Sequence, residues 1–231
     1  MKKIILLATA VLCLFATTAL ADSIKGKAGI TLRGGASYIF DSEFNDIVIE
    51  IAASPPAPSI LEKDIKPDIG WTGGGGIMYG ITDNLAVNFD VIYLQADLKA
   101  TSDGIEAKMC TGKTIDFALG AQWRFMPKSR FVPYVEAGFD ILMNELDPYN
   151  PSAGESVKVA STYGGHLSVG ADFFITPNIA LNAEIRGLYS TKGDVTLNLG
   201  ELAPGINESV LGAEYNPSNI SGFVGIRFFF P

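Results

Sequence analysis

Histidine and cysteine are nearly missing from this chain: its 231 residues hold one histidine, His166, and two cysteines, Cys13 and Cys110. That inventory offers no metal-ligand spacing, so no metal site is expected. No G-K-S/T follows the glycine run Gly73 to Gly76, which excludes a phosphate loop and leaves no cofactor to expect. Beyond the N-terminus no stretch reaches the ~18 continuous apolar residues of a membrane helix. Cations are scarce as well, 17 Lys+Arg against 25 Asp+Glu for a net charge of −8, a poor basis for nucleic-acid binding.

The one long apolar run lies at the start. Lys2 and Lys3 precede the nearly continuous apolar run Ile4 to Phe15, and Ala19-Leu20-Ala21 has the small-x-small form of a cleavage site. Residues 1–21 are therefore expected to be a secretory signal peptide and 22–231 the exported domain. A lipoprotein signal acylated at Cys13 is the rival reading; Leu12, where a small residue belongs, argues against it. Loss of the two lysines takes the charge from −8 to −10. The exported part keeps Cys110 alone, so it can form no intrachain disulfide.

What the chain does have is alternation. Residues 69–94 and 163–189 are two versions of one strand–turn–strand phrase, sharing I-T-x-N-x-A-x-N at the turn. There the asparagine is expected to be able to take a left-handed conformation. In the second copy Tyr163, Leu167, Val169, Ala171, Phe173 and Ile175 fall on one face. Thr162, Gly164, His166, Ser168, Gly170 and Asp172 fall on the other. Eight such segments are readable, at about 24–41, 69–81, 85–98, 114–125, 132–146, 161–175, 179–193 and 218–230. Short connections (82–84, 126–131, 176–178) alternate with long ones (42–68, 99–113, 147–160, 194–217). Short periplasmic turns and long extracellular loops have that order in an outer-membrane barrel with both termini in the periplasm. The expected fold is all-β: an eight-stranded antiparallel up-and-down transmembrane β-barrel in a Gram-negative outer membrane. A soluble β-barrel or sandwich is the alternative. It would place Lys and Glu on the polar face, where this chain has Gly, Ser, Thr and isolated charges. Aromatics near strand ends (Tyr38, Phe40, Tyr79, Tyr93, Trp123, Phe125, Tyr134, Tyr163, Tyr189 and Phe228) are expected at the headgroup level.

The polar face carries Arg33, Asp90, Asp116, Arg124, Glu136, Asp140, His166, Asp172, Glu184, Arg186 and Arg227, all expected to line the lumen. Eight strands leave an interior that side chains can fill, and charges there must pair. A salt-bridge ladder that fills the lumen and a narrow conduit lined by these pairs both remain open. The first and last long loops are unusually apolar, with Ile47, Ile49, Ile51, Ile60 and Leu61 in one and Leu197, Leu199 and Leu202 in the other. They are expected to fold over the barrel end as an apolar mouth or cap.

Residues 121–138, AQWRFMPKSRFVPYVEAG, resemble the strand end, short turn and strand start of the OmpW family of small outer-membrane barrels. The match runs through Ala121, Gln122, Trp123, Phe125, Arg130, Phe131, Pro133, Tyr134, Val135, Ala137 and Gly138. TDNLAVNFDVIY and GGHLSVGADFFITPNIALNAEIRGLY are similar to other segments of that family. The second lacks the family's frequent Trp near position 178, and Pro231 trails the terminal aromatic. The resemblance implies passage or binding of small, mainly hydrophobic solutes, entering a hydrophobic mouth and leaving sideways into the membrane. It also implies assembly by the barrel-assembly machinery. Outer-membrane lipid and lipopolysaccharide are further expected partners; Glu43, Asp46, Glu62, Asp64, Asp103, Glu106 and Asp147 could meet the divalent cations that bridge it. The runner-up is a structural or adhesion barrel with a closed lumen and partner-binding loops. His166, Ser168 and Glu184 resemble part of an outer-membrane lipid A deacylase set. Val169 stands where that set has asparagine, and all three residues are expected to face the lumen, so no catalysis is expected.

Overall fold

The computed structural model describes residues 23–40, 64–102, 105–148, 156–198 and 209–231. Among these described residues twelve strands form, in chain order. They are β1 (Ala28–Ile39), β2 (Asp64–Pro67), β3 (Ile69–Gly80), β4 (Leu85–Ser102), β5 (Ile105–Arg124), β6 (Phe131–Pro148), β7 (Ser156–Val159), β8 (Thr162–Thr176), β9 (Ile179–Ser190), β10 (Gly193–Asn198), β11 (Ser209–Tyr215) and β12 (Asn219–Phe230). Eight long strands pair antiparallel in the cycle β1–β3–β4–β5–β6–β8–β9–β12. The cycle closes where β1 meets β12, from Ala28↔Phe230 to Ile39↔Asn219. It is a closed eight-stranded barrel, and closure leaves these strands no free edge.

The alternation sets the two surfaces. Leu167 (71% exposed), Val224 (70%) and Ile185 (62%) point outward with Leu32, Ile77, Leu119 and Phe139, while Arg33, Asp90, Glu136, Asp172 and Arg227 point inward and are buried. A continuous apolar outer surface of this size is untenable in water and suited to hydrocarbon. Among the described residues no helix is long and apolar enough to cross a membrane.

Several local expectations change. The long loop expected at 99–113 is mostly strand, because β4 runs to Ser102 and β5 starts at Ile105. Beyond the bilayer the outer face need not be apolar, so Lys99, Lys108 and Lys113 broke the pattern without breaking the strands. For the same reason β2, β7, β10 and β11 occupy parts of the other three connections read as loops. The turn asparagines are not left-handed: among the described residues the positive-φ positions are Met126 (φ 49°) and Gly26 (φ 73°). At the first turn Thr82 Oγ1 instead accepts the Asn84 and Leu85 amides at 3.2 and 2.9 Å. The Asn84 side chain then donates to the Arg124 carbonyl at 2.7 Å, tying one short turn to the next strand end. Tyr134 is not at the headgroup level; it faces inward and is fully buried.

Candidate functional site: a charged belt inside a sealed barrel

All eleven charged residues expected in the lumen lie there, each less than a tenth exposed. Three linked centres hold them. Asp172 Oδ2 receives Arg124 Nη1 and Arg227 Nη1, both at 2.7 Å, while Asn182 donates to Oδ1 at 2.8 Å. Arg33 spans Glu184 (2.9 Å) and Asp90 (3.0 Å), and the Tyr134 hydroxyl donates to Glu184 at 2.7 Å. Arg186 binds Asp116 at 2.8 Å and also Asp140. His166 sits between Asp140 (2.9 Å at Nδ1) and Glu136 (3.2 Å at Nε2). Asn88 and Gln122 add donors to Glu136 at 2.7 and 3.1 Å. Such pairing is what buried charge requires.

Glycine makes the belt fit. A Cβ at Gly138 would overlap His166 Cε1, and one at Gly76 would overlap the Asp90 carboxylate. The glycine run of β3 is thus a packing device.

Below the belt the barrel is closed. Ile24, Met78, Ala86, Val132, Phe174, Ala180 and Phe229 form one buried apolar cluster at the end carrying the short turns. The Phe174 and Phe229 rings stack at 5.3 Å. Above the belt, Ile92, Leu94, Leu142, Leu188 and Phe223 narrow the lumen with Thr72, Thr114, Asp116 and Arg186 to a cavity of about 20 Å³. That is room for about one water. Higher still, Leu98, Leu146, Val195 and Tyr215 make a second apolar cluster, against which Cys110, Val157 and Val159 pack. Burial pushes the Cys110 thiol up to about 11.

Among the described residues a weak seam lies in the wall at this upper level, between β6 and the β7–β8 segment. Between β6 and β8 the ladder is unbroken from Phe131↔Phe173 to Leu142↔Thr162. Beyond it, among the described residues, a single ladder pair joins β6 to β7, Glu145↔Lys158. Asn144 spans the gap through its side chain. Its Nδ2 donates to Thr162 Oγ1 at 3.0 Å and the Ala160 carbonyl at 3.3 Å, and its Oδ1 accepts from Thr114 at 3.0 Å. A groove of about 470 Å³ opens there, lined by Tyr93, Lys113, Ile115, Met143, Asn144, Glu145 and residues 157–159.

The His–Ser–Glu set does not assemble. Ser168 Oγ is buried with no hydrogen-bond partner, Glu184 is held by Arg33 and Tyr134, and both His166 nitrogens meet carboxylates. Ile47, Ile49, Ile51, Ile60, Leu61, Leu199 and Leu202 lie outside the described residues, as do residues 1–21. Leu197 belongs to β10, where its backbone pairs with Val157 and Ser209. The apolar clusters at both ends of the lumen were not singled out from sequence. Inward parity applied to the strand ends finds Met78, Val132, Phe174 and Phe229.

A family model for the outer membrane protein beta-barrel domain matches residues 7–228. No curated protein matches the sequence. The outer membrane protein OprG from Pseudomonas aeruginosa superposes with a TM-score of 0.67 at 17% identity, covering 90% of this chain and 99% of its own. Neisserial surface protein A superposes with a TM-score of 0.53 at 17% identity, covering 89% of this chain and 98% of its own. At such identities the likeness carries the fold alone.

Proposed function

The chain belongs to the outer membrane protein beta-barrel domain family, and on that premise we propose that it takes up small, mainly hydrophobic solutes at its extracellular end and releases them sideways into the membrane. Family membership puts the barrel in the outer membrane. The sideways route is the one implied by the OmpW resemblance of residues 121–138. The observation that carries it here is the β6–β7 seam, where one ladder pair and Asn144 bridge the wall beside a 470 Å³ groove. Among the described residues the axis is narrow: about 20 Å³ remains above the belt, and stacked phenylalanines lie below it. A solute entering over Leu98, Leu146 and Val195 would meet the seam before the belt. Catalysis has no part in this reading.

A lock across the seam tests it. Glu145 and Lys158 are ladder partners, and such partners lie close enough for a disulfide. In a Cys110→Ser background, Glu145→Cys with Lys158→Cys should slow transfer of a fluorescent apolar solute into vesicles when oxidised and restore it when reduced. Equal transfer in both states would sink the sideways route. The filled lumen favours a second reading, a closed structural barrel whose loops meet external partners. In that case refolded protein would transfer no more solute than protein-free vesicles.

A further inference from the structure

We propose that His166 is an imidazolium that braces β8 against β6, forming a base-sensitive latch in the barrel wall. The buried ring lies against its ladder partner Gly138, which Glu136 and Asp140 flank on the same inward face. Glycine suits that position, since a Cβ there would overlap the ring at Cε1. Nδ1 stands 2.9 Å from both Asp140 oxygens, and Nε2 stands 3.2 Å from Glu136 Oε1. An ionised carboxylate only accepts, and a neutral imidazole has a single N–H to give. With both protons the ring satisfies both acids. Arg186 Nη2 also lies 3.2 Å from Nδ1, as if a neutral ring accepted from it. That tautomer would turn the Nδ1 lone pair toward Asp140, and Arg186 Nη2 already has Asp116 and Asp140 as acceptors.

Charge gives the second proton its weight. Facing the ring are Glu136 and Asp140 of β6, Arg186 of β9 and, through Arg186, Asp116 of β5. Behind Glu136, Asn88 leads on to Asp90 of β4. The other belt charges are engaged elsewhere. Arg33 holds Asp90 and Glu184, Tyr134 donates to Glu184, and Asp172 holds Arg124 and Arg227. Around the ring, Asp116, Glu136 and Asp140 therefore stand against Arg186 and His166. Arginine keeps its charge at any accessible pH, whereas an imidazole can lose its own. Loss of that proton leaves one guanidinium for the three buried carboxylates, and buried charge without a partner is strongly unfavourable. The repulsion falls on β6 and β8, whose ladder ends at Leu142↔Thr162, where the seam begins. The latch stands whether or not solutes leave by that seam.

The chain has one histidine, so isotope labelling of histidine in tag-free protein refolded in lipid gives a single imidazole to read by NMR. At about pH 7.5, where an ordinary imidazole is roughly nine-tenths neutral, both ring nitrogens should carry a proton. A ring protonated at Nε2 alone would overturn the proposal. On titration to about pH 10, below the ordinary value for lysine, the second proton should leave. Amide exchange at residues 138–142 and 162–166 should then quicken roughly tenfold relative to the β1–β12 ladder, which shares the base-catalysed rise. In His166→Gln, which has no such proton to lose, that ratio should stay flat; heat-dependent gel mobility checks its folding. Should the variant not fold, the proton count and exchange ratio of the unaltered protein decide. A second proton still held at about pH 10, a ratio unchanged as the proton leaves, or the same change in His166→Gln would each overturn the latch.

Discussion

Replacing Asp172 by alanine should be among the most damaging single changes in the lumen. The carboxylate is fully buried, and its Oδ2 accepts from Arg124 and Arg227 at 2.7 Å each. The two guanidinium nitrogens are therefore no more than 5.4 Å apart, twice 2.7 Å. Without the carboxylate their repulsion is about 3 kcal/mol at an effective dielectric constant of ~20. Gln122 holds Arg124 at 2.8 Å and Thr31 holds Arg227 at 2.8 Å, but neither carries compensating charge. Removing one partner of a buried pair typically costs ~3–5 kcal/mol, and two cations lose theirs here, so the upper part of that range is expected. Urea unfolding in lipid vesicles can follow Trp71 and Trp123, the chain's two tryptophans, both facing outward. With a slope of ~2 kcal/mol per molar, the midpoint should drop by about 2 M. Adding Arg227→Met should recover part of the loss, because one cation then remains for Gln122 to hold. A midpoint within about 0.3 M of the original would refute the idea that Asp172 neutralises the belt.

Leu167→Arg, on the outer face, should cost ~2–4 kcal/mol if that face meets hydrocarbon; an unchanged unfolding midpoint would mean the faces are inverted. Phe174→Ala removes half of the stacked pair below the belt and should cost about 3–5 kcal/mol, read in the same assay. Cys110 should resist maleimide. With the thiol near 11, only about one in a thousand molecules is thiolate at pH 8, against roughly a quarter for an ordinary thiol. Labelling of the folded barrel should therefore rise about tenfold per pH unit up to that value, and a plateau near pH 9 would contradict the burial argument.

The eight barrel strands were legible because hydrocarbon on one side and a narrow lumen on the other force strict alternation. That constraint ends at the bilayer surface, and so did the legibility. Beyond Leu98 the chain stays in strand, yet Lys99 and Lys108 gave the reading nothing apolar to follow. Inward parity placed every charged lumen residue, but it could not say which meets which. Arg33 on β1 reaches Glu184 on β9 and Asp90 on β4, pairings set by strand tilt and stagger around the barrel. Tyr134 was assigned to the headgroup level from its place near a strand end, although its parity already pointed inward to Glu184. The asparagine turns misled because threonine hydroxyls supplied the turn's hydrogen bonds without a left-handed residue. The seam at Asn144 had no sequence signal, since it arises where one ladder stops and another starts.

The most direct test of a sealed axis with a lateral route is conductance of the refolded protein in a planar bilayer, paired with solute transfer in vesicles of the same lipid. A silent bilayer together with transfer of the apolar solute is the expected outcome. Steady ohmic openings that the solute blocks would contradict it, because they require an open path through the Asp172 belt and past Phe174 and Phe229.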